Sequence, residues 1–137
     1  MKNESSLSSS NQSGFTLIEL LIVVAVIAVL AAIAYPAYQR HVIESSRSAA
    51  QADMMDIAQL YERCFTRTNG YDNCEIDGRT TDNGRYVITV EDESDTFTVT
   101  ATPQGVGNQT RDRCGTLTLN HLGIRGNSAE LPVGDCW

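Results

Sequence analysis

Lysine is almost missing from this chain. Lys2 is the only one in 137 residues, and arginine supplies the remaining positive charge. Ten basic residues face seventeen acidic ones, for a net charge of −7. Beyond Arg40 there are eight Arg, no Lys and fifteen Asp plus Glu. Such a balance gives no electrostatic reason to seek nucleic acid or anionic lipid. Close cysteine pairs are missing too. Cys64, Cys74, Cys114 and Cys136 follow C-x9-C and C-x21-C spacings, without the C-x2-4-C pairs usual in zinc sites. No H-E-x-x-H is present, no Gly-rich phosphate loop follows a strand, and no serine can be tied to a base. His41 and His121 stand alone. Asn73, Glu75, Asp77 and Gly78 imitate the opening of a calcium loop, but Gly84 occupies the position where a bidentate Glu should close it. The sequence therefore offers no catalytic residue, no metal site and no cofactor.

What the chain does contain is one long apolar run. Phe15 to Tyr35 reads FTLIELLIVVAVIAVLAAIAY, and Glu19 is its only ionisable side chain. As a helix it would be about 31 Å long, close to the thickness of a bilayer's hydrocarbon core. A charge in such a helix is costly, roughly 2.5–3.5 kcal/mol at the centre and less near the interface. Glu19 calls for a partner.

Two ordinary readings leave it without one. A secretory signal peptide could be cut after Ala32-Ile33-Ala34, but the run exceeds the usual apolar length and its leader is barely basic. A plain single-pass anchor does not explain the charge. A cut between Gly14 and Phe15 does. Phe15 would then carry a new ammonium four residues before Glu19. Within one helix the i, i+4 pairing is weak at a fraying end. Between staggered copies it becomes a registration device, because an unpaired carboxylate in low dielectric is heavily penalised.

Here the sequence resembles a family. GFTLIELLIVVAVIAVLAAIAYPAYQ is similar to the class III signal and first helix of type IV pilins and pseudopilins: a polar leader ending in Gly, then Phe, Glu five residues into the mature chain, and Pro36 after the apolar run. The resemblance implies that a prepilin peptidase removes residues 1–14 and methylates the amine of Phe15. Residues 15–35 would be a transmembrane helix that later enters a filament core through Glu19.

Pro36 predicts a helix kink, since it removes a donor and clashes with the carbonyl of Ala32. The helix should nevertheless continue over 36–64. Val42, Ser46, Ala49, Ala50, Met54, Ile57, Tyr61 and Cys64 recur at roughly helical period and form a stripe that needs covering. The Met54-Met55 pair reads as core filler. Residues 65–84 read as a loop. RYVITV (85–90) and TFTVTA (96–101) read as strands around an acidic turn, EDESD (91–95), with Phe97, Val99 and Ala101 on one face. After a second loop (102–113), GTLTL (115–119) alternates again, NHLG (120–123) turns into Ile124 and Arg125, and the tail is irregular. Of the three pairings open to four cysteines, Cys64–Cys74 and Cys114–Cys136 close the shorter loops. Each closure is worth roughly 3 kcal/mol on chain-entropy grounds.

CGTLTLNHLGIRG (114–126), with the terminal Cys136-Trp137, is similar to minor pilins of the PilE type. The resemblance implies an α+β type IV pilin fold, with a long kinked helix on a small antiparallel sheet and a disulfide-stabilised β head over 65–137. It implies a non-enzymatic subunit of a type IV pilus, incorporated in the fibre or priming its assembly, and supporting twitching motility and adhesion. Its partners would be major and minor pilins, the prepilin peptidase and an inner-membrane assembly platform. Its location would be the inner membrane with the head in the periplasm, then the pilus surface. Alternatives are a type II secretion pseudopilin, a membrane-anchored or secreted binding domain, and a DNA-uptake minor pilin. The last would need basic residues such as Arg111, Arg113 and Arg125 to cluster, against the acidic balance of the head.

Overall fold

The computed structural model describes residues 14–137; the expected leader lies outside them except for Gly14. Its elements are α1 (Leu17–Thr68), β1 (Arg79–Thr80), β2 (Tyr86–Asp92), β3 (Phe97–Pro103), a 3-10 segment (Val106–Arg111), β4 (Leu117–Asn120), β5 (Arg125–Asn127) and α2 (Val133–Cys136). Two compact units divide between Ala37 and Tyr38.

In the first unit the helix has no polar periodicity, and its residues from 17 to 37 are exposed. Its apolar window, with a mean hydropathy of 3.1, is long and apolar enough to cross a membrane, and none of it is buried. Pro36 lies inside α1, so the proline does not terminate it.

The second unit is an α+β head. Five strands form one antiparallel sheet in sequence order, β1-β2-β3-β4-β5. Strand alternation puts Tyr86, Ile88, Phe97, Val99, Ala101, Leu117 and Leu119 on one face. Against them lies the α1 stripe Ala50, Met54, Ile57 and Tyr61, each at most 1% exposed. Burying a side chain of this size stabilises by roughly 1.5–3 kcal/mol. This interface is the core of the head.

Several boundaries differ from expectation. The helix passes Cys64 and ends at Thr68, because Phe65 packs on Tyr71 (ring centroids 4.6 Å apart) and Asn69 supplies a left-handed cap at φ 55°. Met54 is core, but Met55 is 38% exposed. Ala49 is exposed and Arg47 is buried, the reverse of what an apolar stripe suggests. The 65–84 loop contains β1, where Arg79 pairs with Ile88. Gly78 precedes it because a Cβ there would lie 2.2 Å from the Ile88 carbonyl oxygen. The acidic turn is shorter than 91–95. β2 runs through Asp92, opposite Phe97, and Glu93 N–H donates to the Thr96 carbonyl. The tail is more regular than its composition suggests, with β5 and the single turn of α2.

Candidate functional site

Gly14, Phe15 and Thr16 precede the first helical residue, Leu17, and Phe15 is 89% exposed. The scissile position expected between Gly14 and Phe15 thus lies outside regular structure. Thr16 and Glu19 form a reciprocal cap. Glu19 N–H donates to Thr16 Oγ1 at 3.2 Å, and Thr16 Oγ1 and N–H both donate to Glu19 Oε2, at 3.3 and 3.4 Å. This is a capping box: the first N–H groups of a helix lack internal partners, and a T-x-x-E sequence supplies them. Sequence reasoning sought a partner for Glu19 in the ammonium of Phe15 and overlooked this nearer one. The signal was there, in Thr16-Leu17-Ile18-Glu19 directly before the apolar run.

Beyond the cap, and as far as Ala34, the helix presents only apolar side chains. Leu17, Ile18, Leu20, Leu21 and Ile22 are each more than half exposed, as are Ile27, Leu30 and Ile33 further along. A helix apolar on all sides has to be covered by lipid or by other helices.

In the head, a polar cluster fixes the 104–114 segment to α1. Arg47 Nη1 donates to Asp112 Oδ1 at 2.5 Å, with the two side chains 10% and 0% exposed. Tyr86 OH donates to Asp112 Oδ2 at 2.6 Å, and Cys114 N–H donates to Oδ1 at 3.1 Å. Gln109 donates to the Ile43 carbonyl and to Tyr86 OH. Burial, and secondarily the bond to Asp112, holds the Tyr86 phenol above the ordinary tyrosine range. Tyr61 is pushed up to about 12, by burial first and then by Asp92, whose carboxylate accepts its O–H at 3.2 Å. None of these groups was legible as a site residue. A charge on a helix is ordinarily read as solvated, and its partner lies 65 residues away.

Cys64 is bonded to Cys74 and Cys114 to Cys136, with Cα–Cα distances of 5.9 and 5.6 Å. The first bridge ties the last turns of α1 to the following loop. The second ties α2 to the approach to β4. Gln51 Nε2 donates to the Cys136 carbonyl, and Trp137 Nε1 donates to the Gly126 carbonyl at 3.0 Å. Arg125 sits 5.3 Å over the Trp137 ring and Arg113 donates to the Asp135 carbonyl at 3.1 Å, so both touch the carboxyl-terminal segment. Arg111 is exposed and does not share those contacts. His41 is exposed, and His121 leans on the Phe97 ring at 6.4 Å. Among the described residues, no three His, Cys, Asp or Glu side chains converge as a metal site would require.

Two family models match the chain. Residues 9–35 match the prokaryotic N-terminal methylation motif. Residues 36–118 match the family described as type IV minor pilin ComP, DNA uptake sequence receptor. The fold is that of a type IV pilin: a structure of such a pilin from Shewanella oneidensis is similar over 69% of this chain and 97% of that one, with 28% identity and a TM-score of 0.54. No curated protein matches.

Proposed function

This chain belongs to the type IV minor pilin family described by ComP, and we propose that it acts as a structural subunit of a type IV pilus, in the fibre or priming its assembly. One observation carries the reading. The apolar stretch of α1, no part of which is buried, carries a carboxylate in its first turn, a few residues after the position where the methylation motif implies a cut. Lipid acyl chains can cover the apolar faces, but they offer Glu19 no charge of opposite sign. A second processed helix offers both an apolar face and the ammonium of its Phe15.

The mechanism is physical, as suits a family and fold that are structural. A prepilin peptidase removes the leader after Gly14 and methylates Phe15. The helix waits in the inner membrane with the head in the periplasm. An assembly platform then draws it into the fibre among major and minor pilins, where it supports twitching motility and adhesion. Intact-mass analysis of membrane-extracted protein tests the first step; a chain beginning at Tyr35 would refute it. Shearing tests the second. Glu19→Val should remain in the membrane fraction and be lost from sheared fibres, whereas normal incorporation would show that the carboxylate does not drive assembly.

DNA uptake is a second reading, favoured by the family model that spans residues 36–118. Arg113 and Arg125, both against the carboxyl-terminal segment, would then be its phosphate contacts. A gel shift with duplex DNA tests it. Binding that disappears in Arg113→Ala/Arg125→Ala supports uptake, and an absence of binding by the wild-type chain removes it. A type II secretion role has no comparable support.

A further inference from the structure

The 104–114 segment carries a motif that neither fibre assembly nor DNA uptake uses. Asn108-Gln109-Thr110 is an N-x-T triplet, with no proline in its middle position. Two N-x-S triplets, Asn3-Glu4-Ser5 and Asn11-Gln12-Ser13, lie in the leader. Removal of residues 1–14 leaves Asn108 as the one asparagine of this pattern. Such a triplet marks the acceptor of asparagine-linked glycosylation, on surface loops of exported chains. It also recurs by chance, so its setting has to decide.

Gln109 is fully buried, and its Nε2 donates to the Ile43 carbonyl and to Tyr86 OH. That anchor leaves the two flanking side chains outside: Asn108 and Thr110 are both exposed. Neither side chain is hydrogen-bonded to another described residue. Other asparagines of the head are engaged. Asn83 Nδ2 donates to Ser46 Oγ at 3.3 Å, and Asn127 Nδ2 to the Leu131 carbonyl at 2.8 Å. There is room around the loop as well, since a Cβ at Gly105 would meet no atom within 4 Å. Gly107 and Asn108 are left-handed, at φ 60° and 61°. That conformation favours asparagine at 108, but glycine would serve there as it does at 107. It places no demand on residue 110. Backbone geometry therefore accounts for half of the motif only.

We propose that Asn108 carries an N-linked glycan. The co-reactant is a sugar activated as a diphosphate ester, on a lipid or on a nucleotide. Asn108 Nδ2 bonds to the anomeric carbon as the bond from that carbon to the diphosphate oxygen breaks. The diphosphate leaves with the bonding pair, and a carboxylate of the transferase takes the Nδ2 proton. The Thr110 hydroxyl is the recognition handle. Because Gln109 points inward, the attached glycan stays in solvent when the segment closes on α1. It covers a loop tip, the kind of place where proteases nick a folded chain, with Arg111 exposed three residues on.

Intact-mass analysis of the chain recovered from its native host tests the site. The mass should exceed that of the processed polypeptide by a hexose, an N-acetylhexosamine or an oligomer of them, and electron-transfer fragmentation should place the increment on Asn108. Asn108→Gly, which keeps the left-handed turn, and Thr110→Val should lose it, while Thr110→Ser should keep it. A bare polypeptide mass would overturn the proposal. So would an increment that persists in Asn108→Gly or ignores Thr110→Val. Blocking the formation of lipid-linked sugars during a short labelling pulse separates the donors: the increment disappears if the diphosphate is on a lipid and persists if it is on a nucleotide. Trypsin should cut faster at Arg111 in Asn108→Gly, and an unchanged rate would overturn the protective role. The same mass spectrum reads the Phe15 start independently, so failure of leader removal and failure of this site are told apart.

Discussion

Arg47 and Asp112 meet at 2.5 Å in the interior of the head, one from α1 and the other from the end of the 3-10 segment. With Tyr86 and Cys114 N–H also on the carboxylate, Asp112 is the point where helix, sheet and second disulfide converge. Removing one partner strands the other without water. Asp112→Ala should therefore destabilise the head by about 3–5 kcal/mol. Replacing both, as Arg47→Met/Asp112→Leu, should cost clearly less than the two single changes added. Thermal unfolding of detergent-extracted protein, followed by circular dichroism, measures the cycle.

Tyr61 gives a pH dependence of known sign. Its phenol titrates near 12 in the folded chain against 10.0 for the free group, so folding favours the protonated form. That stabilisation is fully present below pH 10 and is lost as pH rises through 12. Stability should be flat approaching pH 10 and then decline, and Tyr61→Phe should make the decline shallower. Tyr86, shifted in the same direction by burial, accounts for part of what remains. Tyrosinate absorbance during alkaline titration provides the independent check.

Gly78→Ala is expected to lift β1 from the sheet. The added carbon would stand 2.2 Å from a backbone oxygen of Ile88, an atom that cannot swing aside. Overpacking of this kind costs roughly 1–3 kcal/mol. Because Arg79 reaches Asp53 and Asp56 only from β1, amide exchange should quicken at Arg79, whose N–H faces β2 opposite Ile88, and at Thr81, whose N–H donates to the Tyr86 carbonyl.

Cys136→Ser should release the carboxyl-terminal segment and leave α1 and the β2–β3 hairpin folded. The bridge to Cys114 spans 22 residues, and closing such a loop is worth roughly 3 kcal/mol. Limited trypsin digestion is expected to cut at Arg125 in the variant, where cover by Trp137 is lost, and to spare it in the wild type. The cut should be assigned by mass.

How much of this was legible follows from what periodicity can carry. Phe97, Val99 and Ala101 alternate, and Met54, Ile57 and Tyr61 recur at helical spacing, so hairpin and buried stripe could be read directly. Arg47 could not, because its charge reads as solvated until the Asp112 carboxylate arrives from another element. The end of α1 was misplaced by four residues because Cys64 drew the boundary, although Asn69-Gly70 carries the local stop signal. Glu19 reads as a charge needing a partner, and within the chain its carboxylate accepts from Thr16. Thr16 is harder to read as that partner, because a threonine carries no charge to offset a carboxylate and acts only through the capping geometry of T-x-x-E.

Thr16 separates two roles for that carboxylate. Thr16→Ala removes the hydroxyl of the cap, a loss of about 1 kcal/mol at the helix start, and should leave fibre incorporation near normal. Glu19→Val should remove both cap and charge. Comparable losses from sheared fibres in the two variants would mean that capping alone accounts for the role of Glu19.

The Thr16–Glu19 cap also lies wholly downstream of the Gly14–Phe15 position, so cleavage leaves its two partners on the same side of the cut. Only Oε2 is engaged by Thr16, and the side chain that would meet an ammonium is already restrained in direction before any second subunit approaches. A glutamate free to rotate would lose on the order of 1 kcal/mol of rotamer entropy on being captured. Much of that loss has already occurred here, within a single turn of helix.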